Sequence, residues 1–206
     1  MNTSVHPNDT QVFADGLSLI VHLRPVLDLT DDQFYEFCQI NRDLRIERTA
    51  QGELVIMPPA GWETGRRNAE ITIQLGTWTK GDGTGVATDS SAGFKLPNGA
   101  TRSPDAAWVT QVRLAALTQE QREKFLPLCP DFVLELRSPT DSLVLLQAKM
   151  QEYLDNGARL GFLIDPEHKR VYVYRPQTPV EILENPDTIS GDPVLSGFIL
   201  DLRAIW

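Results

Sequence analysis

The stretch that decides the fold is Pro130-Asp131-Phe132-Val133-Leu134-Glu135-Leu136-Arg137-Ser138-Pro139. Between Asp131 and Arg137 the residues are apolar, except that Glu135 interrupts the run. A short apolar run of this kind is typical of a strand that is buried on both faces of a sheet. The sequence therefore predicts a central strand that carries one carboxylate in its interior.

The sequence on either side of this strand predicts further strands and helices. Ser138-Pro139-Thr140-Asp141 starts a helix with an apolar stripe, and Asn156-Gly157 ends it. A second, longer helix is predicted over about 63–80, and a short helical stretch over about 118–125. Short strands are predicted at 85–88, 93–96, 105–110, 160–164 and 170–174. This order of elements predicts an α/β fold with a mixed sheet flanked by helices.

The N-terminal part predicts an extension of this core. Residues 1–19 are expected to form a loosely ordered leader, and residues 20–206 a single domain. Thr30 is a suitable N-cap for a short helix. Two strands at 44–47 and 53–57 flank a turn and predict a β-hairpin. The end of the chain, from Pro186 onward, is apolar enough to pack on the body of the domain.

Composition limits the classes of function. The chain has 206 residues, 41% of them hydrophobic and 23% charged, with a formal net charge of −9. This charge argues against a broad basic surface that coats nucleic acid, although a metal and a local basic patch would still bind phosphate.

The polar start, Met1 to Thr10, does not resemble a secretory signal, and we expect a cytoplasmic protein without a membrane span. Cys38 and Cys129 are better explained as reduced thiols than as a disulfide.

Two carboxylates stand where apolar residues are expected. Asp105 precedes the apolar residues Ala106 and Ala107, and Glu135 lies inside the central strand. A buried charge is costly unless it is paired or bound to a metal. If the two strands are neighbours, the two acids converge and can bind a hard cation such as Mg²⁺ or Mn²⁺. The alternatives are that Asp105 starts a strand and that Glu135 forms a structural ion pair with Arg137 or Lys149.

Lys149 is the third candidate residue. It borders the apolar stripe of the helix after the central strand, near Leu146 and Tyr153, and can therefore point towards the sheet. A lysine in this position could hold a water or neutralise negative charge in a reaction. Taken alone, it would be explained as a solvated helix residue. The combination of Asp105, Glu135 and Lys149 favours a site.

Other chemistries have little support in the sequence. The glycine cluster at 81–85 follows a helix, whereas phosphate-binding loops follow a strand, so a helix end and turn explain it better. The three histidines are not spaced for zinc, and no nucleophile elbow is present.

The sequence resembles the Uma-two family of restriction endonucleases, within the PD-(D/E)XK nuclease superfamily, from about Leu29 to Trp206. The motifs that carry the resemblance are Ser103-Pro104-Asp105, the run from Pro130 to Pro139, Lys149 with Tyr153 and Gly157, and Asp165-Pro166.

The resemblance implies a restriction-endonuclease-like core with Asp105 and Glu135 as metal ligands. It also implies an accessory acid at Glu63, for which Glu70 is an alternative. The superfamily places a lysine two positions after the second acid, where this chain has Arg137. Arginine does not act in proton transfer because it stays protonated, so the resemblance implies that Lys149 takes over that role. Tyr153 is a candidate for an accessory role in the same site.

Three functions are consistent with these residues. The first is a Mg²⁺- or Mn²⁺-dependent endonuclease that acts on DNA, as a homodimer if both strands are cut. Four arginines are candidates for phosphate contacts, or else are ordinary solvated surface residues: Arg66, Arg67, Arg102 and Arg137. The second is a binding or regulatory module that keeps the fold without catalysis, and the third is hydrolysis of another phosphoester.

Overall fold

The computed structural model describes residues 18–206. The leader predicted at residues 1–19 therefore lies outside the described residues, except for its last two positions, and Leu19 already belongs to the first strand. The helices are α1 (Asp31–Ile40), α2 (Trp62–Asp82), α3 (Gln111–Ala115), α4 (Gln119–Glu123) and α5 (Leu143–Asp155). The strands are β1 (Leu19–Val21), β2 (Arg45–Arg48), β3 (Leu54–Met57), β4 (Gly85–Asp89), β5 (Phe94–Lys95), β6 (Thr101–Arg102), β7 (Ala106–Thr110), β8 (Phe132–Leu136), β9 (Leu160–Asp165), β10 (Arg170–Tyr174), β11 (Glu181–Glu184), β12 (Thr188–Ser190) and β13 (Ile199–Asp201).

A six-stranded mixed sheet forms the centre of the fold, in the order β11-β10-β9-β8-β7-β4. Strands β8 and β9 pair in parallel and are joined through α5, whereas the other pairs of this sheet are antiparallel. All five residues of β8 are buried. Helix α2 and the C-terminal segment cover one face, and α5 covers the other. The prediction of a buried central strand in a mixed α/β sheet is confirmed.

A second sheet, in the order β1-β3-β2-β6-β5, contains the predicted hairpin of β2 and β3. Helix α1 packs on it through Phe34, which is fully buried with Ile46 and Leu54. The Thr30 side chain caps α1 by accepting from the backbone N–H of Gln33, as expected. Only three residues separate β6 from β7 in the other sheet. Asp105 therefore lies at the junction of the two sheets.

Several short elements differ from the predictions. Strands β1, β6 and β11 were not predicted, because segments of two to four residues carry no clear alternation pattern. Helix α5 begins at Leu143, and the residues 138–141 form a turn in which Ser138 N–H donates to Asp141 Oδ2 (2.8 Å). The C-terminal segment packs on the core as expected and contains the hairpin of β12 and β13.

The glycine cluster after α2 is a helix end, as predicted. Gly83 has a φ of 73°, and its N–H donates to the carbonyl of Thr79, which closes the last turn. Among the helices of residues 18–206, none combines the length and the apolar character that crossing a bilayer demands.

Candidate active site

Asp105 and Glu135 lie side by side at the junction of the two sheets. Strands β7 and β8 pair antiparallel with Ala106 opposite Leu134, so the next step of the register brings Asp105 opposite Glu135. The backbone N–H of Leu136 donates to Asp105 Oδ2 (2.9 Å). Both side chains are buried, with exposed fractions of 8% and 3%. The condition stated from the sequence, that the two strands are neighbours, is met, and the two carboxylates lie together.

Helix α5 brings Lys149 and Tyr153 to this pair. The Lys149 ammonium lies 2.8 Å from Glu135 Oε1, and the Tyr153 hydroxyl donates to the same oxygen at 3.0 Å. The two residues are one helical turn apart, so both project from the face of α5 that packs on the sheet. Among the described residues, Glu135 Oε2 accepts no hydrogen bond. The structure thus brings together four residues that the sequence singled out.

Glu47 is a third buried carboxylate that sequence reasoning missed. It comes from β2 of the second sheet and is only 3% exposed. Its carboxylate contacts Lys149 Nζ (2.9 Å) and accepts hydrogen bonds from Arg102 Nη1 (3.1 Å) and the backbone N–H of Ser103 (2.9 Å). In the sequence, Arg45 and Arg48 of the same strand are also charged, and such a pattern normally indicates a solvated hairpin. No local signal distinguishes Glu47 from a surface residue.

Asp105 has two further contacts, from β2 and from α2. Arg45 Nη2 and Asn68 Nδ2 each lie 3.3 Å from Asp105 Oδ1. The side chain of Arg45 is 34% exposed, so the site reaches solvent on this side. Asn68 Oδ1 is buried and has no hydrogen-bond partner among the described residues.

The acids proposed for the accessory position in α2 point elsewhere. Glu63 is exposed and pairs with Arg66 at 3.2 Å. Glu70 accepts a hydrogen bond from Gln74 (3.0 Å). The α2 residue that contacts Asp105 is therefore Asn68, which lies on the inner face of the helix.

Arg137 is engaged outside the Asp105–Glu135 pair. Its Nη1 lies 3.0 Å from both Asp165 Oδ2 and Glu167 Oε2, in the turn after β9. His168 Nδ1 also lies 2.9 Å from Asp165 Oδ2. Within residues 18–206, the three residues Asp165, Glu167 and His168 form the one group of His, Cys, Asp or Glu side chains whose ligand atoms all lie within 4.8 Å. Because the Arg137 guanidinium already contacts these groups, we regard the cluster as an ion-pair network.

The arginines considered for phosphate contacts also have intramolecular partners. Arg66 Nη1 and Arg67 Nε each donate, at 2.7 Å, to a backbone carbonyl near the C-terminus. Arg102 Nε donates to Glu152 Oε2 (2.6 Å), and its Nη1 contacts Glu47. These side chains therefore stabilise the fold, and none of them offers a free guanidinium beside the two acids.

The electrostatics of the site keep Lys149 charged. Burial raises the pKa of Glu135 to about 7. The positive charge of Lys149 lowers this pKa, whereas the negative charges of Asp105 and Glu47 raise it further. Burial also raises the pKa of Glu47, but Lys149 and Arg102 outweigh it and bring that pKa down to about 2. For Lys149, burial lowers the pKa, yet the Glu135 and Glu47 carboxylates raise it above its ordinary value. Lys149 is therefore protonated at neutral pH.

The side chains around Asp105 fit a hard divalent cation. Carboxylate and amide oxygens are the ligands that Mg²⁺ prefers, and this ion usually takes one or two carboxylates and keeps several waters. Asp105 and Glu135 offer two carboxylates. Asn68 turns its Nδ2 to Asp105, so its unpartnered Oδ1 would face the same ion once the side-chain amide is rotated by 180°. Because water supplies the remaining ligands of Mg²⁺, two carboxylates are enough and a third acid is not required.

Comparisons with known proteins agree with the fold. A crystal structure from Anabaena variabilis ATCC 29413, described as "a putative nuclease belonging to DUF820", has a TM-score of 0.69 to this chain at 19% sequence identity. The match covers 86% of this chain and 97% of the other. No curated protein sequence matches the chain significantly. The family model of Uma2 (Uma-two), described as "Putative restriction endonuclease", matches residues 31–203. The chain therefore belongs to the Uma2 family.

Proposed function

We propose that this protein is a metal-dependent endonuclease that hydrolyses DNA phosphodiester bonds at the Asp105–Glu135 site. The observation that carries the proposal is the convergence of two buried carboxylates and a buried ammonium from β7, β8 and α5. Burying these charges together is costly for stability, and a site that handles metal and phosphate gives a reason to retain them. The family match supports the same reaction class.

Each residue of the site has a distinct part in this proposal. Asp105 and Glu135 would hold Mg²⁺ or Mn²⁺, with Asn68 beside them. When bound, such an ion supplies Lewis-acid stabilisation of phosphate charge and lowers the pKa of water. The Lys149 ammonium donates hydrogen bonds to negative charge that develops on the phosphate oxygens. The Tyr153 hydroxyl holds the Glu135 carboxylate in position through its hydrogen bond to Oε1.

One observation favours a second candidate function. Lys149 is already balanced by two carboxylates, and Arg102 completes the pairing of Glu47. A self-sufficient ion network of this kind would also suit a nuclease fold that is retained as a binding or regulatory module. In that case, replacing Glu135 would change stability but would remove no activity.

Metal binding and DNA nicking, measured on the same samples, separate the two candidates. We would titrate Mg²⁺ and Mn²⁺ by calorimetry into wild type, Asp105→Ala and Glu135→Ala, and incubate each protein with supercoiled plasmid. Asp32→Ala is the matched control, since Asp32 is an exposed acid paired with Lys124. The endonuclease is supported if wild type and control bind metal and nick DNA while both site variants lose these properties. Folded wild-type protein that binds no metal at millimolar concentration would overturn it.

A further inference from the structure

Strand β2 contributes a second charged residue to the site, two positions before Glu47. Arg45 and Glu47 lie on the same face of β2, where Arg45 contacts Asp105 and Glu47 contacts Lys149. The exposed fraction of the Arg45 side chain is 34%, compared with 13% for both Lys149 and Arg102. Arg45 is thus the cation of this site that a ligand in solution can reach most easily.

Few other cations of the protein are available to a polyanion. All 19 lysines and arginines of the chain lie within residues 18–206. Apart from Lys80 and Lys169, each of them contacts a carboxylate, carbonyl or amide oxygen of the described chain. With a net charge of −9 in addition, the described surface offers no preformed basic patch that would hold a phosphate backbone. A phosphate contact made within the site would therefore contribute a large part of the affinity for DNA.

The guanidinium of Arg45 is only partly satisfied by the protein. Its Nη2 donates to the carbonyl of Ser103 (3.1 Å) and to Asp105 Oδ1 at the long distance of 3.3 Å. Its Nε is buried without a partner, and Nη1 makes no hydrogen bond among the described residues. By comparison, Arg102 makes a 2.6 Å hydrogen bond to Glu152 and a further contact with Glu47. Because Nε is buried out of the reach of a ligand, Arg45 keeps its Nη1 donors for one.

We infer that Arg45 binds a phosphate oxyanion of the substrate beside Asp105. A planar guanidinium with free donors matches the geometry of phosphate oxygens and binds them more specifically than an ammonium does. The inference rests on the proposed function, and it identifies the substrate contact of that site as a single arginine at its opening. The ligand class is a phosphodiester, which the site engages locally and without a basic surface.

Binding of a fluorescein-labelled DNA duplex, followed by anisotropy in Ca²⁺ to prevent hydrolysis, tests the inference. We expect Arg45→Ala to weaken binding by about tenfold and to reduce the slope of log K against log salt concentration by about one. Arg45→Lys should restore the slope but only part of the affinity. Lysine keeps the positive charge, but it lacks the planar set of N–H donors that binds two phosphate oxygens at once. Arg42→Ala is the matched control, because Arg42 is an exposed arginine near the same hairpin and contacts only Gln39.

A purely structural role for Arg45 predicts different results. It would change metal affinity or thermal stability while leaving the salt slope as in wild type, and that result would overturn the inference. Wild-type protein that binds no duplex would overturn it as well. Failure of the proposed function is a separate outcome: wild type would then bind DNA with the Arg45-dependent slope but would not nick plasmid in Mg²⁺ or Mn²⁺. Cleavage with an unchanged KM in Arg45→Ala would leave the function intact and reject the inference alone.

Discussion

The ammonium of Lys149 lies 2.9 Å from Oε1 of Glu47, a residue 102 positions earlier in the chain and in the other sheet. This contact ties the second sheet to the helix that carries the proposed reaction chemistry. The second sheet is therefore part of the candidate site, since it supplies a partner for the buried lysine.

Replacing Glu47 should slow the reaction while sparing metal binding. We expect Glu47→Gln to lower kcat for plasmid nicking by about 10- to 100-fold, the usual range for residues that orient a ligand or catalytic group. The reason is that Lys149 loses one of the two carboxylates that hold it in place. Steady-state kinetics and calorimetric Mn²⁺ titration measure the two effects separately. If Mn²⁺ affinity falls as far as in Glu135→Ala, Glu47 is itself a metal ligand and the prediction is wrong.

Removing Arg137 should cost stability. Arg137→Ala leaves Asp165, which is fully buried, without its main cation, and the loss of one partner of a buried pair typically costs about 3–5 kcal/mol. Urea denaturation of the metal-free protein measures the change. Glu167→Gln is the control, because the Glu167 side chain is 60% exposed and its contact with Arg137 contributes little. A stability change below about 1 kcal/mol in Arg137→Ala would show that the cluster does not depend on the guanidinium.

Replacing either of two glycines with alanine should change the stability of the protein, in opposite directions at the two positions. A Cβ at Gly85 would lie 2.2 Å from the Trp108 ring, so Gly85→Ala should destabilise the protein by about 1–3 kcal/mol. A Cβ at Gly76, in the middle of α2, would meet nothing within 4 Å, so Gly76→Ala should stabilise the helix by about 0.5–1 kcal/mol. Thermal melting of both variants provides the measurement. A Gly85→Ala variant as stable as wild type would contradict the packing of Trp108 against β4, and a destabilised Gly76→Ala variant would contradict the open space at Gly76.

Both cysteines should react slowly in the native protein. Burial raises the pKa of Cys38 to about 11 and that of Cys129 to about 12, above the ordinary thiol value. Since only the thiolate reacts, alkylation at pH 8 should be slow and should accelerate about tenfold per pH unit. The acceleration should continue beyond pH 9, where an ordinary thiol levels off. Iodoacetamide labelling with mass spectrometry follows each thiol, and unfolding in urea should restore normal rates. Rapid labelling of Cys129 at pH 8 would disprove the buried position.

The sequence predicted the centre of the site because its residues break a strong local pattern. Glu135 interrupts an apolar strand, and Lys149 and Tyr153 border the apolar stripe of an adjacent helix. Such departures are visible in one sequence, since the periodicities of strands and helices are local properties. The same reasoning predicted a mixed sheet, in which β7 and β8 place Asp105 beside Glu135, although it did not predict the edge strand β11.

The rest of the site depends on tertiary contacts that no local pattern reveals. Arg45 and Glu47 resemble solvated hairpin residues, and only tertiary contacts bury Glu47 and bring Arg45 to Asp105. Asn68, rather than Glu63, meets Asp105 because of how α2 is rotated on the sheet. The engagement of Arg137 with Asp165 likewise requires the parallel pairing of β8 and β9.

The parallel unit of β8, α5 and β9 also has a consequence for the order of folding. Glu135 and Tyr153, which share a hydrogen bond, are 18 positions apart and lie within this one unit, whereas Glu47 must close a loop of 102 positions to reach Lys149. Because short loops close at a lower entropic cost, the contacts of Lys149 and Tyr153 with Glu135 should form early, and those with the second sheet late. In a folding chain, Lys149 would thus pair with Glu135 before Glu47 becomes buried beside it.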